Sequence, residues 1–182
     1  MTGRPPSGGP VPDAPPPPGV EVRPARPRDR KQVLRLLQEV AAEARFIRTE
    51  TVDQERSRRE GRRIRISWTL DRATIVATVN GRVIGNLGIF REAASAGRHV
   101  AALGMMVARD WRGRGVGSAL LAEGFRWASW AGVEKVTLTV YPDNEPAIRL
   151  YRRFGFVEEG RLSGQSKKSH GYEDEIFMAR WL

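Results

Sequence analysis

The run Met105-Met106-Val107-Ala108-Arg109-Asp110-Trp111-Arg112-Gly113-Arg114-Gly115-Val116-Gly117-Ser118 decides how this chain is read. Strand-favouring residues end at Val107 and three alternating glycines follow. Leu120, Leu121, Phe125 and Trp127 then continue as the packing residues of a helix. Glycine lets the backbone take up positive φ and removes side chains that would block a bulky anion. The N–H groups freed in this way converge at a helix N-terminus, where aligned peptide dipoles add partial positive charge. Arg112 and Arg114 can add charge-assisted hydrogen bonds. The run therefore reads as a pyrophosphate cradle. It lacks the Lys-Ser/Thr ending of the P-loop and the third glycine of the dinucleotide fingerprint. A glycine-rich turn without a ligand is the competing reading of this run taken alone.

Working outward, the chain alternates strand and helix signals. Upstream, residues 99–107 are extended. Ala73 to Thr78 and Val83 to Phe90 form strands joined by Asn80-Gly81, the strongest two-residue hairpin signal, with Gly85 and Gly88 weakening the second strand. Downstream, the spacing predicts a helix over 115–131, a strand over 136–140, a helix over 146–154 opened near Asn144, and strands over 156–162 and 172–179. Val20 to Val22 is a short first strand. Val33, Leu36, Leu37, Val40 and Ala41 make 28–44 an amphipathic helix. Residues 46–50 read as a loop, and Asp53 can cap a charged helix over 54–66. Residues 1–19, with the run Pro15 to Pro18, have almost nothing to bury and read as a disordered, inert tail before a domain spanning 20–182.

A length of 182 residues fits one domain, and 40% apolar residues suffice for its core. The absence of cysteine removes disulfides, thiolate catalysis and cysteine metal sites, and two histidines make a zinc site improbable, so no metal is expected. No apolar run approaches the roughly 20 residues needed to span a bilayer, and no signal peptide is evident; the expected location is cytoplasmic. The formal charge of +10 fits either a solvated surface or a polyanionic partner. No nucleic-acid motif accompanies it, so a phosphate-rich small molecule is preferred over nucleic acid. The sequence does not set the oligomeric state, and a homodimer is one open option.

A second run, Asn144-Glu145-Pro146-Ala147-Ile148-Arg149-Leu150-Tyr151-Arg152-Arg153-Phe154-Gly155-Phe156, places Tyr151 two helical turns beyond Asn144. Alone, Asn144 reads as an ordinary helix cap and Tyr151 as a half-buried aromatic. The two runs in this order, about thirty residues apart, resemble the GNAT superfamily of N-acetyltransferases. Arg112, Gly115 and Gly117 match its Arg/Gln-x-x-Gly-x-Gly/Ala signature. Asn144, Tyr151, Gly155 and Phe156 match its later helix. The resemblance covers roughly residues 20–180 in element order. It implies an α/β fold: a mixed, mostly antiparallel sheet of six to seven strands, flanked by helices and splayed between the fourth and fifth strands, with a β-bulge in the fourth.

The resemblance also implies acetyl-CoA as co-substrate. Met105, Met106 and Val107 would touch the pantetheine arm, residues 113–118 would hold the pyrophosphate, Asn144 would contact the cofactor, and Tyr151 would donate a proton. A primary amine (an amino acid, a small amine or a protein N-terminus) would attack the thioester directly in a ternary complex. A phenol is a reasonable acid for the departing thiolate. Some protein N-terminal acetyltransferases of the superfamily place a glutamate base five residues before the conserved Asn; here that residue is Thr139. Glu43, Glu50, His99, Asp174, Glu175 or a water chain remain as candidates. The alternative is an acyl-CoA-binding sensor module without turnover.

Overall fold

The computed structural model describes residues 9–47 and 66–182. The helix expected over 54–66 falls outside the described residues but for its last position, and so does most of the loop at 46–50. A seven-stranded sheet runs in the order β1-β2-β3-β4-β5-β7-β6. Its strands are β1 (Glu21–Pro24), β2 (Arg72–Val79), β3 (Arg82–Arg91), β4 (Val100–Val107), β5 (Lys135–Val140), β6 (Val157–Lys168) and β7 (Gly171–Trp181). Every pairing is antiparallel except β4 with β5. Among the described residues the α-helices are α1 (Arg30–Ala41), α2 (Val116–Trp130) and α3 (Glu145–Arg153).

Strand alternation divides the core in two. Ile75 and Ala77 join α2 in the larger cluster with Leu87, Leu120 and Phe125, while Val76 joins Val33, Leu36 and Val40 of α1. Trp127 is fully buried, and its indole N–H donates to the Thr69 carbonyl at 2.9 Å, so no polar group is stranded there. The corner between β1 and α1 is fixed by Asp29, which is buried and accepts from the Arg23 guanidinium at 2.6 and 3.2 Å and from the Arg26 N–H at 2.7 Å. The Arg23 guanidinium holds the Asp29 carboxyl below the usual carboxylate range. The β2–β3 turn is built as expected, with Asn80 and Gly81 both at positive φ (47° and 76°).

Three expectations need correction. The β3–β4 ladder runs from Ala101 to Val107 without a register shift, and the bulge lies one strand away, where Ala77 and Thr78 face Gly85 and Val83. Strand β6 extends to Lys168 rather than ending near 162. Its second half is Gly, Ser, Gln and Lys, which carries no strand signal; it is held by pairing with β7, with register shifts at Glu158/Gly160 and Leu162/Ser166. Residues 9–19 lie against the domain. Ala14 packs on the larger core, the Val20 N–H donates to the Pro17 carbonyl at 3.0 Å, and the buried Arg180 guanidinium donates to the Gly9 carbonyl. Prolines already restricted in φ lose little entropy on being laid down this way.

The parallel β4–β5 pairing decides where a ligand can enter. It covers only Val100, Ala101 and Ala102 against Lys135, Val136 and Thr137. From Leu103 to Val107, β4 has no strand partner on that side among the described residues, while β5 continues with β7 to Val140. The two strands therefore splay toward their C-terminal ends. Among the described residues no helix is long and apolar enough to cross a membrane.

Candidate active site

The glycine loop sits at the open end of this splay. A single 3-10 turn, Arg109–Trp111, leads to Gly113 (φ 72°) and Gly115 (φ 86°), and Gly115 is the left-handed residue that caps α2. A side chain at either position would be strained. Gly117 matters for a different reason. A Cβ there would meet Leu150 Cδ2 at 3.1 Å and Met105 Cε at 3.4 Å, so its absence lets α2, α3 and β4 close together. Among the described residues the N–H groups of residues 113–118 donate to no backbone carbonyl. They form the open positive end of a fifteen-residue helix.

The cations at the loop are arranged differently from the simple expectation. The Arg112 guanidinium is bound to Glu43 through two contacts of 2.7 Å, and its Nε donates to the Val107 carbonyl at 3.0 Å. Arg112 thus ties the loop to the segment just after α1 rather than pointing freely at an anion. Arg114 stacks over Trp111 with its guanidinium carbon 5.4 Å from the ring centre. Arg153, which the sequence reading missed, donates to Ser118 Oγ at 2.7 Å and adds a charge from the last turn of α3.

Met105, Met106 and Val107 are half-buried on the unpaired stretch of β4. Met105 and Val107 face the larger core and Met106 faces α1, as alternation requires. Asn144 Oδ1 accepts from the Ala147 N–H at 3.3 Å, so Asn144 is the N-cap of α3. Tyr151, on the buried face of α3, is 7% exposed and packs edge-on against Phe156 at 5.7 Å. Burial pushes its phenol up to about 12.

The candidate bases separate by environment. Glu50 lies outside the described residues. Glu43 is committed to Arg112. His99 stacks on Trp181 at 6.0 Å. Asp174 accepts from the Gly164 N–H at 2.8 Å and from Arg161 at 2.9 Å, which hold its carboxyl below the ordinary range. Thr139 is exposed. Glu175 is the buried one, at 2% exposure, and accepts from Ser166 Oγ at 2.5 Å; Ser166 in turn accepts from the Tyr141 hydroxyl at 3.1 Å. Tyr141 and Ser166 carried no sequence signal.

Known proteins share both the sequence and the fold. Residues 33–156 match the model of the acetyltransferase (GNAT) family. The L-amino acid N-acetyltransferase AaaT of Escherichia coli K12 is 37% identical over 107 residues, which are 58% of this chain and 66% of that protein, just under two thirds. A GCN5-related N-acetyltransferase from Kribbella flavida superposes with a TM-score of 0.78 at 27% identity, covering 90% of this chain and 98% of that one. A phosphinothricin acetyltransferase from Sinorhizobium meliloti, solved in complex with acetyl-CoA, shares the fold with a TM-score of 0.78 at 22% identity, covering 90% and 89%. With a matched region longer than half the chain and a sheet that splays between β4 and β5, this protein belongs to the acetyltransferase (GNAT) family.

Proposed function

We propose that this protein transfers an acetyl group from acetyl-CoA to a primary amine, within a ternary complex and without a covalent enzyme intermediate. The observation that carries the reading is the set of N–H groups at residues 113–118 that donate to no backbone carbonyl among the described residues, opening at the splay between β4 and β5. The donor set fits the co-substrate. Backbone N–H groups at a helix terminus, with Arg114 and Arg153 nearby, suit a pyrophosphate. The free edge of β4 at residues 103–107 suits the amide groups of a pantetheine arm. Asn144 shapes the turn into α3, and Tyr151 holds a proton on the buried face of that helix.

In this reading the amine nitrogen attacks the thioester carbonyl, the N–C bond forms and the C–S bond breaks. The departing sulfur takes the Tyr151 proton. A phenol held at about 12 keeps that proton across the physiological range, and a thiolate formed in the same dry surroundings is a stronger base than in water. The acceptor class extends from amino acids and small amines to protein N-termini; AaaT is by name an L-amino acid N-acetyltransferase.

Release of free CoA tests the reading, with acetyl-CoA supplied alongside the L-amino acids, simple polyamines and a peptide with a free N-terminus. The chain contains no cysteine, so a thiol reagent reports only the product. Release above the hydrolysis background with at least one amine is expected. Acetyl-CoA binding without release for any amine would contradict the transfer reading and favour a sensor module.

A further inference from the structure

We propose that Tyr141, Ser166 and Glu175 form a proton relay on the acceptor side of the cleft, ending on the Glu175 carboxylate. The proposal rests on the acetyl-transfer reading and supplies the base it lacks. Its place follows from the ladder. Val140 at the end of β5 pairs with Ile176, so Tyr141, the next residue, lies level with Glu175. This is the end of β5 from which β4 has already diverged.

The hydrogen bonds have one direction. The Tyr141 hydroxyl donates to Ser166 Oγ at 3.1 Å, and the Ser166 hydroxyl donates to Glu175 Oε1 at 2.5 Å. With its proton committed inward, the Tyr141 oxygen keeps lone pairs for an outside donor. All three residues are buried, with Glu175 the most so at 2% exposure. Removing a carboxylate from water is costly, and a buried hydroxyl chain that ends on one is an unusual use of core space.

Glu175 has a further contact besides Ser166, and among the described residues several charged groups surround Tyr141. The Lys168 ammonium lies 4.2 Å from the Tyr141 ring centre and pairs with Glu173 at 2.9 Å. His170 also contacts Glu173, while Asp174 is held by Arg161. Asp143, two residues beyond Tyr141, faces Arg45 at 3.8 Å.

The proton balance is simple. The acceptor's ammonium form gives one proton to the Tyr141 oxygen, the Tyr141 proton moves to Ser166, and the Ser166 proton moves to Glu175; the free amine then attacks and passes its second proton to solvent. The relay gains one proton in total, Tyr151 loses one to the CoA sulfur, and solvent resets both.

Glu175→Gln tests this directly, because the amide oxygen can still accept from Ser166 while no longer taking a proton. The readout is the pH profile of kcat with acetyl-CoA and an amine active in the panel above. At pH 7 kcat should fall roughly 100-fold. The deficit should shrink as the pH rises and solvent supplies the free amine, with acetyl-CoA affinity unchanged. Tyr141→Phe should give the same pH-dependent deficit, and it decides the matter if Glu175→Gln does not fold. A deficit independent of pH, an equal loss of acetyl-CoA affinity, or wild-type kcat in either folded variant would overturn the relay. A wild-type chain that turns over no amine would overturn the transfer reading and the relay together, whereas wild-type turnover with undisturbed variants would overturn the relay alone.

Discussion

The glycine loop and the Tyr141–Ser166–Glu175 cluster lie toward the same open end of the splayed sheet but are assembled in opposite ways. The loop takes its donors from contiguous residues 113–118, and its shape follows from glycines at positive φ followed by a helix start. The cluster draws one residue each from the end of β5, from β6 and from β7, separated by 25 and 9 positions in the chain. Backbone N–H groups bind any pyrophosphate that fits, so local sequence suffices for the invariant half of the reaction. The other half, proton removal by the proposed relay, depends on strand register, and a shift of one residue would turn Glu175 to the opposite face.

Tyr151 stands apart from both constructions, and its removal should produce the largest effect. Tyr151→Phe keeps the ring against Phe156 and deletes only the proton. We expect kcat to fall roughly 100-fold with little change in acetyl-CoA affinity, checked by single-turnover kinetics so that slow product release does not mask the loss. An equal loss of affinity would make Tyr151 structural and would leave the loop and the relay as the whole site. The phenol is held at about 12, above its unfolded value of 10.0. The stabilisation tied to its protonated form is therefore complete below about pH 10 and is lost as the pH rises through about 12. A basic limb in the rate profile below pH 10 would have to come from another group.

The legibility of this chain follows the same division. The Asn80-Gly81 turn, the α2 start and the order of strands and helices were readable because each rests on local spacing or on a φ requirement. The family resemblance carried the splay. The second half of β6 was not readable, since Ser166, Lys167 and Lys168 are strand residues only because β7 pairs with them, beyond an irregular stretch after Leu162. Missing that stretch also meant missing Ser166. The Glu43 partner of Arg112 lies 69 positions away in the chain, and no local pattern could name it. The Pro-rich segment misled for a related reason. Its composition has no apolar face, yet Ala14 and the Gly9 carbonyl find partners on the folded domain.

Truncating residues 1–18 should have the smallest effect. Removal of the Ala14 contact and of a carbonyl that accepts from buried Arg180 should cost about 1–2 kcal/mol in urea unfolding. Pro17 Cγ lies 3.5 Å from where a Gly115 side chain would begin, so the truncated chain also shows whether this segment braces the loop. Unchanged stability and affinity would return the segment to an inert tail.

The loop itself is tested most directly by thermal unfolding of wild type and Gly115→Glu, each with and without acetyl-CoA. A ligand at about 100 times its Kd adds about 2.7 kcal/mol to the folded state, which should raise the wild-type Tm by several degrees. Gly115→Glu places a carboxylate at the helix N-terminus on a residue at φ 86°, so its ligand-free Tm should fall modestly and acetyl-CoA should produce no rise at all. A rise equal to that of wild type would mean that residues 113–118 do not hold the co-substrate.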